Sequence, residues 1–581
     1  MNRRTYLCLL TPLALGMMAI SLAYLLNPLD MPSVDDWICF KGSPERTSSS
    51  NVAAPDACFL DWHVDMESEL YSSPVVKNGK VFQVVLDRLY CICIDTGRSL
   101  WVSDIPVYQS TPFLSDDKII VATNRGISAL SLDDGASTWE YMVRGRFREE
   151  LSLRDYIVSS PAVSEGKVAV GTMPYYYVPE EPPFGVPDEM YVVCLDEARG
   201  AEQWYVETIF GVRTAPCVAH GKAFVASREM LCIDLEKGEV LWNSENKYPW
   251  EINKPVRERY AFSDSTPALF HGILVTGSFD AQGKVTLGYY IQWQKIVFMD
   301  QYTGDILWEW VKEGALASSP AVYDGRVYLY SLDGMVRCLS FLEGKELWQA
   351  RISESVEFET EYFKLWPSPT VTDGKVYIGS IEGVIYCLDA ETGEVLWTYK
   401  TGGEIRSAPA VVDGKVLVSS TDGRLYCFGI DPDTYLSKAQ KYLEEGEIDK
   451  AKQFLVKAKE YAETEEEITD IESLLEIVDE KMPEYEERME KIKEAESLMN
   501  EADRIMWDGK FTKAHDLYNE AYTIFQEVDD EFGKAFCMER MEYITQRMPE
   551  ETTEIPYWLG ILAVCGVIAC LVIWRRRKSH E

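Results

Sequence analysis

From about residue 58 to residue 430 the apolar positions come in short runs of four to six. They are rich in Val, Ile and Tyr and are separated by Asp-Gly, Glu-Gly and Thr-Gly pairs. Short apolar runs bounded by such pairs predict antiparallel strands joined by tight turns. The clearest unit reads Ser368-Pro369-Thr370-Val371, Gly374-Lys375-Val376-Tyr377-Ile378-Gly379, Tyr386-Cys387-Leu388-Asp389 and Gly393-Glu394-Val395-Leu396-Trp397, one strand per piece. It begins eight times, at Ser72-Ser73-Pro74, Ser110-Thr111-Pro112, Ser159-Ser160-Pro161, Thr214-Ala215-Pro216, Ser265-Thr266-Pro267, Ser318-Ser319-Pro320, Ser368-Pro369 and Ala408-Pro409. Trp62, Trp101, Trp139, Trp204, Trp242, Trp308, Trp348 and Trp397 keep the same beat. Seven of them stand four residues after a glycine: Gly97, Gly135, Gly200, Gly238, Gly304, Gly344 and Gly393. A period near forty residues, stretched only by insertions, predicts propeller blades of four strands.

The eighth unit stops at Gly429 after three strands, because Ile430-Asp431-Pro432-Asp433 leads directly into helical sequence. A lone tryptophan strand, Cys58-Phe59-Leu60-Asp61-Trp62-His63-Val64, precedes the first unit and is expected to complete blade eight, using residues 58–66. Closure removes the open sheet edge with its unpaired backbone groups.

Leu388-Asp389-Ala390-Glu391-Thr392-Gly393-Glu394-Val395-Leu396-Trp397 resembles the tryptophan-docking segment of the pyrroloquinoline-quinone-type (PQQ-like) propeller repeats. Trp37-Ile38-Cys39-Phe40-Lys41-Gly42-Ser43-Pro44-Glu45-Arg46-Thr47 resembles the lead-in seen before their first blade. Such repeats occur in quinoprotein dehydrogenases and in the non-enzymatic propeller lipoprotein of bacterial outer-membrane assembly. The resemblance covers residues 36 to 430 and implies tryptophans packed between neighbouring blades, hence architecture rather than chemistry.

After the propeller the apolar period becomes helical. Ala439, Tyr442, Gly446, Ala451, Leu455 and Ala458 are echoed by Ala502, Gly509, Phe511, Ala514, Tyr518 and Ala521. This spacing of small and large residues resembles two tetratricopeptide (TPR-like) units, 432–462 and 495–528, whose paired helices bury one face and expose a groove. A charged helical stretch broken at Pro483 is expected between them, and a final helix at 531–547.

Both chain ends are apolar. Residues 6–26 follow Arg3-Arg4 and read as a signal peptide or signal anchor; Asn2-Arg3-Arg4-Thr5-Tyr6-Leu7 also loosely resembles a twin-arginine signal. Residues 557–574 carry no charge and precede Arg575-Arg576-Arg577-Lys578, the pattern of a membrane span with a cytoplasmic stop. The expected organisation is therefore a signal peptide or anchor over 1–27, a lead-in over 28–57, an all-β eight-bladed propeller over 58–430 and an α-helical TPR-like domain over 431–554. A transmembrane helix over 556–574 and a basic cytoplasmic tail over 575–581 follow. Residues 28–555 then face outward from the cell membrane.

Composition narrows the function. A net charge of −38 excludes an ordinary nucleic-acid partner. The acidic excess concentrates in residues 431–554, where acidic side chains outnumber basic ones about two to one, the mark of a solvated surface. Of the fourteen cysteines, Cys93, Cys194, Cys232, Cys338, Cys387 and Cys427 are read as one repeat position, too far apart between blades for disulfides, which need Cα atoms within about 7 Å. They are expected to be small buried hydrophobes. Cys39 and Cys58 stand outside that register as a possible cross-link of the lead-in.

Catalytic signals are missing. The quinoprotein resemblance would imply adjacent cysteines, a calcium site and an aspartate base. No Cys-Cys pair exists, and Cys91 and Cys93 are separated by Ile92. His63, His220, His271, His515 and His580 show no metal spacing, and no phosphate loop or nucleophile elbow appears. No metal or cofactor is expected; PQQ with calcium belongs only to the alternative of an alcohol or sugar dehydrogenase. The informative feature is where the insertions fall. Segments 173–188 and 279–294 join second to third strands, and 144–155, 244–261 and 353–365 join blades. In a meander these connections share one face. They carry Tyr175, Tyr176, Tyr177, Phe184, Tyr248, Trp250, Tyr289, Tyr290 and Trp293, with Trp366 at the edge. Such aromatics mark an interaction surface or cap the channel. The expected function is a membrane-anchored, non-catalytic scaffold binding proteins or ligands through the loop face and the helical groove.

Overall fold

Eight antiparallel sheets follow one another along the chain. Seven are unbroken meanders, spanning 75–104, 113–142, 162–207, 217–243, 268–313, 321–351 and 370–400. The eighth takes Ala410–Val412, Lys415–Ser420 and Arg424–Gly429 and receives its outermost strand from Phe59–Asp65, which runs antiparallel to Arg424–Gly429 with Trp62 opposite Cys427. The first strand of blade eight lies against that of blade one, and the ring closes. This computed structural model describes residues 36–547 except 51, 106–109, 125, 144–155, 175–189, 209–210, 228, 245–264, 282–290, 314–317, 332, 355–366, 463 and 508.

Burial explains the strand sequences. Second and third strands are sandwiched between neighbouring blades, so Lys415–Ser420 and Arg424–Gly429 are buried almost throughout and read as continuous apolar runs. Outermost strands have one wet face: Glu202–Glu207 alternates half-buried and exposed positions, as the two-residue period of a strand requires.

The two faces of the ring are built differently. First-to-second turns are two residues long in seven blades, with positive φ at both positions, as in Asn78-Gly79 (51° and 69°) and Asp373-Gly374 (50° and 68°). That conformation matches the right-handed strand twist. Third-to-fourth turns span 94–98, 132–136, 197–201, 235–239, 301–305, 341–345 and 390–394, all of one length. We call this the turn face. Second-to-third connections and those between blades leave from the opposite end, the loop face, and vary widely in length.

Tryptophan docking ties the turn face together. Each of Gly97, Gly135, Gly200, Gly238, Gly304, Gly344 and Gly393 has φ between 65° and 76° and lies under the tryptophan ring of the preceding blade, Trp62, Trp101, Trp139, Trp204, Trp242, Trp308 and Trp348 respectively. A Cβ there would fall within 2.9 Å of the ring. Indole Nε1 atoms donate to the carbonyl three residues before the glycine: Trp62 to Ile94 (2.8 Å), Trp139 to Glu197 (2.9 Å), Trp204 to Leu235 (2.9 Å), Trp242 to Gln301 (2.8 Å) and Trp348 to Ala390 (3.0 Å).

The helices are α1 (Tyr435–Glu445), α2 (Ile448–Tyr461), α3 (Glu465–Met506), α4 (Phe511–Glu527) and α5 (Glu531–Arg547). The chain divides into two compact units after Pro483. In the first, α1 ends on left-handed Gly446 and pairs with α2 through buried Ala439, Ala451 and Leu455, with the Tyr442 and Phe454 rings 5.3 Å apart. In the second, Ala502, Ala514, Tyr518 and Ala521 are buried, and Arg540 on α5 pairs with Asp503 on α3 at 3.2 Å with almost no exposure of either. The break expected at Pro483 does not occur. Proline removes one intrahelical donor, yet α3 runs on through it. No helix among the described residues is long and apolar enough to cross a membrane; segments 6–26 and 557–574 lie outside the described residues.

Candidate functional site

The innermost strands of a propeller turn one backbone edge toward the axis, and these edges need partners. The lead-in supplies them. Amides at one equivalent position in six blades donate to successive lead-in carbonyls: Val76 to Trp37 (2.8 Å), Leu114 to Ile38 (2.7 Å), Val218 to Pro44 (3.1 Å), Leu269 to Glu45 (2.8 Å), Val322 to Thr47 (2.8 Å) and Val371 to Ser48 (2.9 Å). Residues 37–48 thus make a circuit inside the ring, from blade one to blade seven.

Three side chains of this strap reach the proline carbonyls that open the repeat units. Arg46 donates from Nε to Pro216 (3.1 Å), from Nη2 to Pro161 (2.8 Å) and from Nη1 to Phe40 within the strap (2.7 Å). Ser48 Oγ donates to Pro369 (2.7 Å), and Lys41 Nζ to Pro320. The same three residues hold left-handed backbone, with φ of 62°, 56° and 64°. That strain, about 1–2 kcal/mol for an L residue, persists because each side chain is fixed at its far end. All three are fully buried, and neither cation has a carboxylate partner among the described residues. Burial holds the Lys41 amine well below the usual lysine range.

Both ends of the strap lie on the turn face. At entry, the Asn78 amide in blade one's turn donates to the Asp36 carboxylate at 3.1 Å. At exit, Ser49–Ser50 runs parallel to the first strand of blade seven, and the Ala54 amide reaches Asp373 Oδ2 at 3.3 Å. Pro55 O then accepts from Tyr377 Oη (2.8 Å) and Trp397 Nε1 (3.3 Å), taking the acceptor role that a blade turn plays elsewhere.

Around the strap the Ser-Ser-Pro signature sews blades together. The first hydroxyl serves its own blade: Ser159, Ser265 and Ser318 Oγ accept from Gly171, Gly277 and Tyr330 at 2.8–2.9 Å. The second serves the neighbour: Ser160 Oγ accepts from Thr111, Ser319 from Thr266, Ser368 from Ser319 and Ser73 from Ala408, all at 3.0–3.1 Å.

A second polar centre seats the first helical pair on the turn face. Asp373 accepts from Tyr442 Oη (2.5 Å) on α1, Lys450 Nζ (3.2 Å) on α2 and Lys375 Nζ (2.9 Å). Asp56 pairs with Lys375 (2.7 Å) and Lys438 (2.5 Å), and Lys457 reaches Asp413 in blade eight's turn at 2.9 Å. Burial opposes charge on Asp373, but Lys375 and Lys450, with the Tyr442 hydrogen bond, hold its carboxyl below the usual range. Nothing in the spacing of these residues announced either centre; Gly42-Ser43-Pro44-Glu45-Arg46 was visible only as a lead-in motif.

Of the aromatic candidates, Tyr175, Tyr176, Tyr177, Phe184, Tyr248, Trp250, Tyr289, Tyr290 and Trp366 lie outside the described residues. Trp293 lies on strand Ile291–Asp300, its backbone opposite Asp280 and Glu313. The strands that lead into these insertions run on beyond the ring. Blade five's central hairpin pairs from Ile273↔Asp300 up to Ala281↔Ile291, whereas blade four's ends at Ala226↔Met230. In blade three, Tyr156–Val158 adds a fifth strand along 172–174. Near blade five's raised end, the Trp310 ring sits under Lys312 and buried Arg337, at 5.8 and 5.7 Å.

Two cysteine expectations are corrected. Cys39 and Cys58 are both free: Cys39 is buried in the core of blades two and three, and Cys58 is exposed before blade eight's outer strand. The repeat position in blade one is Cys91, not Cys93. Cys91 faces Trp101, as Cys194, Cys232, Cys338, Cys387 and Cys427 face Trp204, Trp242, Trp348, Trp397 and Trp62. Among the described residues no group of three or more His, Cys, Asp or Glu could hold a metal ion.

A family profile described as "Outer membrane protein assembly factor BamB" matches residues 59–244, 275–361 and 342–432. The BamB of Yersinia pestis is 34% identical over 276 residues, 44% of this chain and 59% of that relative. That of Moranella endobia is 24% identical over 305 residues, 48% of this chain and 67% of the relative. This chain thus spans less than two thirds of the Yersinia protein's length. Among solved structures, quinohemoprotein alcohol dehydrogenase ADHIIG from Pseudomonas putida HK5 matches with a TM-score of 0.51 at 13% identity, covering 68% of this chain and 80% of that one, a likeness of fold alone. With the profile spanning more than half of its length over the blades described above, the chain belongs to the BamB family of PQQ-type propeller proteins.

Proposed function

We propose that this protein is a non-catalytic scaffold, held at the cell membrane by its apolar ends, that binds protein partners through the loop face of its propeller. The observation that carries the reading is the asymmetry of the ring. Turn-face connections are all short, five residues at most, whereas the loop face bears every long insertion, two of them on strands that outgrow the blade. The relatives are named as assembly factors, which supports a protein partner as the class of ligand. The helical pairs, TPR-like in their buried small and large residues, offer a second surface. Under this reading no resident cofactor is needed.

The test is to replace 279–294 with a two-residue turn and compare in-cell cross-linking from a photoreactive residue at Trp310. Loss of the wild-type adducts, with unfolding unchanged, is the expected result. Undiminished adducts would count against the loop face. Calorimetric titration of the purified chain with PQQ and calcium addresses the dehydrogenase alternative: no heat is expected, and one-to-one binding with dye-linked oxidation of alcohols or sugars would displace the scaffold reading.

A further inference from the structure

We infer that the propeller is carried with its turn face toward the membrane, so that the loop face is the surface presented outward. The inference rests on the anchor reading above and adds an orientation to it.

Three observations converge. The strap enters from the turn face, with Asp36 bonded to the turn of blade one and Trp37 paired antiparallel to Val76. It is fixed there by six backbone hydrogen bonds and by Arg46, so the entry point cannot migrate to the other face. Only nine residues separate Leu26, the end of the apolar run, from Asp36, a reach of at most about 35 Å over those ten steps even when fully extended. The loop face stands a strand's length beyond. A six-residue strand such as Lys80–Val85 spans about 20 Å, so the same tether holds the insertions farther from the bilayer than the turns. Third, α1 and α2 are seated on the turn face at Asp373 and Asp413, so the chain also leaves the propeller from that face on its way toward the second apolar segment at 557–574.

Paired positions on the described surface allow a test. Leu86, in the second-to-third turn of blade one, is 64% exposed on the loop face. Asp116, in the first-to-second turn of blade two, is exposed on the turn face. The full chain would be reconstituted in phosphatidylcholine vesicles containing a headgroup-labelled acceptor lipid, with a donor dye on azidophenylalanine at Leu86 or Asp116. Energy transfer roughly twofold stronger from position 116 is expected for a height difference of about 20 Å. Equal or reversed transfer, with the vesicles still carrying the protein on flotation, would overturn the orientation while leaving the anchor intact. Failure to float would overturn the anchor reading, and this inference with it.

Discussion

At Gly200 two demands coincide: φ is +67°, and a Cβ would sit 2.4 Å from the Trp139 ring. Gly166 has nearly the same φ, +71°, but nothing within 4 Å of its hypothetical Cβ. The pair separates backbone strain from packing. Gly166→Ala is expected to cost about 1–2 kcal/mol, the price of a left-handed L residue. Gly200→Ala should cost a further 1–3 kcal/mol or so for overpacking. Urea midpoints of the two variants check this, and equal shifts would deny the tryptophan contact its energetic role. The buried cations of the strap divide in the same way. Arg46→Met strands carbonyls of blades three and four without donors and should cost several kcal/mol, at about 1–3 for each unsatisfied group. Lys41→Met removes an uncompensated buried amine along with one bond and should be close to neutral. Among the thiols, burial pushes Cys194, Cys338 and Cys387 up to about 12. Cys93 moves the other way, because the Thr96 hydroxyl and neighbouring backbone amides stabilise its thiolate. Iodoacetamide at mildly alkaline pH should therefore label Cys93 and exposed Cys58 first, as peptide mapping would show, and leave the tryptophan-facing cysteines unmodified in the folded protein.

The contacts that hold the strap and seat the first helical pair are the most specific in the molecule, and the sequence disclosed those contacts least. Blades were legible because each repeats the same local devices: a Ser-Pro start, a two-residue left-handed turn, a docking glycine and a tryptophan. The small-residue spacing that marked Ala439, Ala451, Ala502 and Ala514 likewise coincides with helix pairs whose buried positions these are. The strap has no such local signature. Its partners are main-chain amides from Val76 to Val371, and no side-chain pattern in 37–48 records which amide meets which carbonyl. The Cys93 misreading has a similar cause. Cys91 and Cys93 share one side of a strand, so alternation cannot separate them; pairing with Trp101, followed by a bulge after Cys91, does. All the aromatic candidates except Trp293 lie outside the described residues, and their place in the site rests on sequence. At this scale Asp373 is the test of helix seating. Asp373→Ala removes the acceptor shared by Tyr442, Lys375 and Lys450, leaving Lys375 with Asp56 and Lys450 with Glu447, and should loosen α1 and α2 by about 1–3 kcal/mol. Hydrogen exchange should then rise across 438–458 while Val376 and Ile378 stay protected. The acid response has a definite sign. The folded carboxyls of Asp373 and Asp56 lie below the unfolded value of 3.8, so their contribution is present above that value and is lost as pH falls through the folded ones.

On the scale of the whole molecule, the division after Pro483 implies two thermal transitions rather than one, because each unit carries its own buried core. Acid should move them apart. In the second unit, burial raises the carboxyl of Glu496, with the charge of Asp530 adding to it, and burial also raises that of Glu539. A folded carboxyl that holds its proton more tightly than the unfolded one gains stability as pH falls from its folded pKa toward the unfolded 4.5. The carboxylates that seat α1 and α2 in the first unit have the opposite shift and lose nothing until pH approaches 3.8. Relief of self-repulsion in a chain of net charge −38 raises both transitions on acidification, so the informative quantity is the gap between them. Calorimetry stepped from pH 7 to pH 4.5 should show the second unit's transition rising relative to the first. In Glu496→Gln/Glu539→Gln that relative rise should disappear, since neither amide titrates. A gap that changes equally in wild type and in the double variant would assign the effect to the rest of the surface charge and not to these two carboxyls.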